Sequence, residues 1–193
     1  AAFVFVMTPG LAMFYGGLVR KKNVVNTMMT SIFIIGVGIV MWVLFGYSLS
    51  FAPSGNAFIG DFRWLGLEGV SLTEGYTDGA SIPNMVFSAF QMMFAVITPA
   101  LITGAVAGRM KFKSIFVFTI FWSLIVYYPL AHMVWGQGGL LGADGIGALD
   151  FAGGDVVHIS SGVSALVLCI LLGKRHDYEH SIYRIHNIPT VVL

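Results

Sequence analysis

Only 10% of the 193 residues carry a charge, against about 25% in a typical soluble domain, so a water-soluble globule is excluded. One cysteine, Cys169, is present; it permits no intrachain disulfide and sits in an apolar run, where a thiol packs as a small hydrophobe. Ten basic residues against nine acidic ones give a net charge of +1 without a basic stripe, which argues against a nucleic-acid partner. A glycine-rich phosphate loop, a paired-carboxylate site and a nucleophile beside its base are all missing, so an enzyme is not expected. Nor does the start read as a signal peptide, because its positive residues follow the apolar stretch. What is abundant is apolar: 57% of the residues are hydrophobic and the mean hydropathy is +0.86. One domain of this length cannot hide that much apolar surface from water. The expected class is therefore an all-α membrane protein.

Five apolar stretches are long enough to be membrane helices, at residues 1–19, 27–51, 83–108, 114–135 and 151–173, with a sixth beginning at 188–193. Span two runs about 25 residues without a charge, enough to cross a hydrocarbon core of about 30 Å with some tilt. Residues 52–82, with Pro53, six glycines and five charges, read as an exposed loop. Pro83 suits a first helical turn. The chain begins inside one apolar stretch and ends inside another, as expected of a fragment truncated at both ends.

Charge placement sets the orientation. Nine of the ten Lys and Arg fall at 20–22, 109–113 and 174–187, on alternate connections, while the intervening loops hold only Arg63 against six acids. The loops at 20–26, 109–113 and 174–187 are expected in the cytoplasm, and the cell membrane is the expected location.

Candidate functional residues are few. With Asp150 capping span five, eight residues of helix put His158 about 12 Å deeper, near the middle of the bilayer. An ionisable ring there either lines an ion or proton path or is a neutral histidine hydrogen-bonded inside the bundle. Asp150 suits a cap, accepting bonds from the free amides of the first turn, and Asp155 has no obvious partner. Phe90 and Phe94, four apart, share a helix face beside Gln91; such pairs are usually packing. Trp135 fits an interfacial anchor, and His132, one turn before it, a packing role. His176, His180 and His186 form a weak metal pattern, so no metal and no cofactor is expected. Gly36 with Gly38, Gly104 with Gly108, and Gly10, Gly16 and Gly17 have the spacing that lets helices approach closely.

Four blocks in order resemble the Amt branch of the Amt/Rh ammonium transporter family: residues 8–18 (TPGLAMFYGGL), Phe90-Gln91-x-x-Phe94, residues 131–136 (AHMVWG), and residues 150–154 (DFAGG) through His158 to Gly173-Lys174-Arg175. The resemblance implies eleven helices in two inverted five-helix repeats, of which this chain supplies the first, and a homotrimer with one pore per subunit. It implies that Phe90, Phe94 and Trp135 form an outer site recruiting ammonium, that Phe94 also belongs to a phenyl gate, and that His158 is the first of two pore histidines. Gln91 matches a polar pore residue and Asp150 a structural aspartate at the pore mouth. The second histidine, the second phenyl gate and the serine of the recruitment site belong to the other half. Trp135 favours Amt over Rh. A cytoplasmic P-II type signal protein is a further partner the family suggests.

Moving a bare ammonium ion into hydrocarbon costs tens of kcal/mol on a Born estimate, whereas an aromatic face returns about 0.5–2 kcal/mol. The implied route therefore deprotonates the ion at the rings, conducts ammonia through a hydrophobic pore and relays the proton along histidines. Competing readings are an ammonium sensor of the same fold, a membrane enzyme subunit using His132 and His158, and a channel for another small neutral solute.

Overall fold

The structure, a computed structural model, describes residues 1–53, 55–143, 145–175, 178–179 and 184–193. Among the described residues it is helical without strands. The helices are α1 (Ala2–Leu18), α2 (Lys21–Phe51), α3 (Asn84–Val106), α4 (Phe112–Trp135), α5 (Gly154–Leu172) and the short α6 (Ile188–Val192). The four helices α2 to α5 are long and apolar enough to cross a membrane. Helices satisfy every backbone group internally, which hydrocarbon requires.

Helix α3 sits at the centre, packed against α1, α2, α4 and α5, while α6 lies on α1. Its inner turns, from Ala95 to Ala100, are almost wholly buried, and they include Pro99. A proline removes one helical hydrogen bond, a loss tolerated at membrane depth where protein surrounds the backbone. By contrast α5 leaves Ile159, Val163, Leu166, Ile170 and Leu171 exposed, an apolar face suited to hydrocarbon or to further protein.

Three spans contain a π-helical turn, at Trp42–Gly46, Ser123–Tyr127 and Gly154–Ile159. Such turns widen the helix by one residue and re-aim the side chains that follow. The first two lie beside a buried aromatic core of Trp42, Tyr47, Phe51, Tyr127 and Tyr128 that joins the second half of α2 to the second half of α4.

Several boundaries differ from those read in the sequence. Pro83 stands just before α3 as its N-cap, in extended geometry with φ −60° and ψ 149°, and its ring disfavours helix in the preceding Ile82, so the helix does not extend further back. Helix α2 begins at Lys21 with one tight turn, since nothing between Lys22 and Thr27 breaks a helix. Helix α5 begins only at Gly154, because Gly153 adopts φ 89°.

Residues 55–82 form an ordered cap rather than a loose loop. Ser48 Oγ donates to Asp61 O at 2.8 Å and accepts from Trp64 N–H at 2.9 Å. Trp64 stacks on Tyr47 with centroids 5.4 Å apart. Gln137 ties the connection after α4 to this cap, its side chain donating to Tyr76 O at 3.0 Å and its backbone to the Tyr76 hydroxyl at 3.2 Å. Tyr76 is pushed up to about 12 from an ordinary 10 because its hydroxyl is desolvated.

The small-residue stripes sort by position. A Cβ on Gly38 would come within 2.9 Å of Val96, on Gly104 within 2.5 Å of the Tyr15 ring, and on Gly16 within 2.7 Å of Met28. Gly36 and Gly10 have open space instead, so close helix approach does not explain those two.

Candidate functional site

The aromatic residues converge at the end of α4. Phe90 and Phe94, one turn apart on α3, meet edge to face with centroids 5.1 Å apart. Trp135, the last residue of α4, closes on Phe94 at 6.3 Å, again edge to face. Its indole N–H donates to Asp150 O at 3.3 Å. All three rings are partly exposed, which leaves ring surface for a ligand.

Asp150 does more than cap one amide. Its Oδ1 accepts from Gly153 and Gly154 at 2.6 and 2.7 Å, and its Oδ2 from Asp155 and Val156 at 3.0 and 2.9 Å. One carboxylate thus meets four orphan amides at a helix start, where the helix dipole also favours negative charge. The turn depends on Gly153, because a Cβ there would lie 2.9 Å from Val157 Cγ2 at a backbone angle that side chains disfavour. Asp155 joins this turn through its backbone, and its carboxylate makes no ion pair among the described residues.

His158 lies four residues into α5, and because the helix starts at Gly154 rather than Asp150, the eight-residue helical rise expected from Asp150 does not apply. Its ring is exposed on the open side of α5 and hydrogen-bonds to none of the described residues, so it is not the bonded bundle histidine considered above. It faces a cavity of about 350 Å³ whose wall also includes Phe94, Met7, Leu11, Phe14 and Leu101. Phe94 therefore belongs both to the aromatic cluster and to the apolar cavity below it.

Two candidates stand apart. Gln91 is buried with its amide oxygen unpartnered among the described residues, and it is not on the wall of the His158 cavity. His132 is 1% exposed and both ring nitrogens face backbone carbonyls, of Ser50 at 3.1 Å and Asn56 at 2.8 Å. It is not on that wall either, so the structure does not bring His132 and His158 to one cavity. His176 and His180 lie outside the described residues, and among those described no group of three metal-binding side chains occurs.

Sequence reasoning did not find the contribution of α1. Met7, Gly10, Leu11 and Phe14 line the cavity, and their spacing of three to four residues along one helix was the available signal.

Apolar helices, an aromatic cluster at one end and a histidine opening onto an apolar cavity are features of a membrane protein. The sequence profile of the Ammonium Transporter Family matches residues 1–193, and the chain belongs to that family. It is 55% identical over 178 residues to an ammonium transporter of Bacillus subtilis, covering 92% of this chain and 43% of that protein. To ammonium transporter 1 of Schizosaccharomyces pombe it is 41% identical over 192 residues, covering 100% and 38%. The crystal structure of Candida albicans Mep2 superposes with a TM-score of 0.84 at 35% identity, covering 99% of this chain and 42% of that one. A structure described as a Sensor Amt Protein superposes with a TM-score of 0.83 at 26% identity, covering 99% and 48%. The chain spans less than half the length of these relatives.

Proposed function

We propose that this chain forms one half of a pore that takes up ammonium across the cell membrane, assembled as a homotrimer. Phe90, Phe94 and Trp135 recruit the cation at the outer mouth, where ring faces each contribute about 0.5–2 kcal/mol toward replacing its hydration. That sum falls far below the cost of burying the bare ion. The ion therefore gives up its proton near Phe94, ammonia passes into the apolar cavity beyond, and His158 accepts and relays the proton. A potassium ion has no proton to give and is rejected at the same step. Asp150 holds the turn that aims α5, and Gln91 is a polar residue beside the path. The basic connections at 20–22, 109–113 and 174–187 face the cytoplasm, and a P-II type protein would bind on that side through the later loops and tail.

The observation that supports this reading is the cavity shared by Phe94 and His158, with Trp135 in contact with Phe94. The test uses the full-length protein in liposomes. His158→Ala is expected to retain ammonium binding at the mouth while losing the ammonium-evoked current or its exclusion of potassium. An unchanged current with potassium still excluded would refute the histidine relay. The likeness to the Sensor Amt Protein favours a second reading, an ammonium sensor of the same fold; a full-length protein that binds ammonium but catalyses no uptake would select it.

A further inference from the structure

We propose that His132 is a positioning residue for the outer aromatic site, acting through Trp135. The inference rests on the recruitment role given to Trp135 above. His132 lies in the last turn of α4, three residues before that tryptophan, and its side chain is 99% shielded, being 1% exposed. Its two ring nitrogens reach into two different elements. Nδ1 lies 3.1 Å from the carbonyl of Ser50 in the last turn of α2, and Nε2 lies 2.8 Å from the carbonyl of Asn56 in the outer cap.

Both partners are acceptors, so a neutral ring donates to one of them and a doubly protonated ring to both. In either state the imidazole supplies the donor at the junction of these three segments. Asn56 is itself held, since its side-chain oxygen accepts from the amides of Phe58 and Ile59 at 2.8 and 3.1 Å. Its own amide donates to Ile59 O at 3.0 Å. The ring therefore bears on a rigid turn.

The backbone of His132 grips the far side of Trp135. Gly136 N–H donates to His132 O at 2.9 Å, and a Cβ on Gly136 would come within 2.7 Å of His132 Nδ1. Trp135 is thus bracketed by His132 and Gly136, and its indole N–H is held separately by Asp150 O. Two ties, that of His132 to α2 and the cap and that of Asp150 O to the indole, set the indole against Phe94. Without the imidazole, the carbonyls of Ser50 and Asn56 lose the donor between them, and the turn under Trp135 keeps its ties to the cap through Gln137 and Leu140.

The experiment uses the full-length protein carrying 5-fluorotryptophan, with the Trp135 resonance identified by its loss in Trp135→Phe. His132→Phe fills the volume without a donor, and His132→Gln keeps a donor for one carbonyl. Displacement of the Trp135 resonance is expected in His132→Phe, with KM for ammonium raised about three- to tenfold, a partial loss of the cation–ring attraction. The kcat per folded protein stays within about twofold, because the proton-relay machinery is untouched. His132→Gln should fall between the two, and carries the test if His132→Phe does not fold. An unmoved resonance with unchanged KM overturns the proposal, as does activity that falls only in proportion to folded protein. If the wild-type protein shows no ammonium uptake, the transport reading fails, while the resonance still decides whether His132 positions Trp135.

Discussion

Trp135 and Phe94 come from different helices and meet edge to face with ring centroids 6.3 Å apart. Phe94 also walls the cavity that holds His158. This one contact links the aromatic end of the bundle to its histidine.

Removing the indole should weaken recruitment without abolishing it. Trp135→Leu deletes one ring face worth about 0.5–2 kcal/mol, so KM for ammonium or methylammonium should rise about two- to thirtyfold. Initial-rate uptake by the full-length protein in liposomes measures it; an unchanged KM would mean that Trp135 does not touch the cation.

The four amides on Asp150 predict a graded loss of stability. Asp150→Asn keeps one acceptor oxygen and should cost about 2–4 kcal/mol, while Asp150→Ala, which abandons all four amides, should cost more, at about 1.5–3 kcal/mol per charged hydrogen bond before relaxation. Thermal unfolding of the detergent-solubilised protein should rank wild type above Asn above Ala. Equal melting of all three would show that the turn does not need the carboxylate.

Gly38 and Gly36 make a matched pair. Gly38→Ala pushes a methyl group against Val96 and should destabilise by about 1–3 kcal/mol. Gly36→Ala meets nothing within 4 Å and should be neutral or slightly stabilising, since alanine is the better helix former. The same melting assay separates them, and a Gly38→Ala/Val96→Ala double variant should recover part of the loss.

The cap formed by residues 55–82 should loosen in alkali. Tyr76 keeps its proton up to about 12 in the folded protein, against 10 in an unfolded chain. Its contribution is therefore complete below pH 10, and it is lost as pH rises from 10 toward 12, because the unfolded chain releases the proton first. Tyr76→Phe removes this dependence, and it also deletes the acceptor for the Gln137 amide. Comparing the melting of the two proteins from pH 9 to 12 tests the sign: the difference between them should shrink as pH rises.

Much of the architecture was readable from the residues alone. Long uncharged runs must be helices in hydrocarbon, because no water is there to bond a bare backbone, and a low charge content excludes burial of so much apolar surface in a single soluble core. The pairing of Phe90 with Phe94 followed from their separation by one helical turn. Asp150 as a cap followed from carboxylate and amide chemistry, although the left-handed Gly153 and the later start of α5 did not.

Other features depend on how the helices meet. Spacing marked Gly36 and Gly38 alike, yet only Gly38 faces a neighbouring backbone, because helix rotation about its axis is set by packing against α3. Nothing local told that Trp64 would stack on Tyr47, or that His132 would bridge Ser50 and Asn56 across more than seventy positions of chain. Nor did the 3.6-residue period reveal that Phe94 and His158 would open onto one cavity with α1. Local chemistry decides which segments become helices and where they stop; long-range contact between their faces decides which side chains share a space.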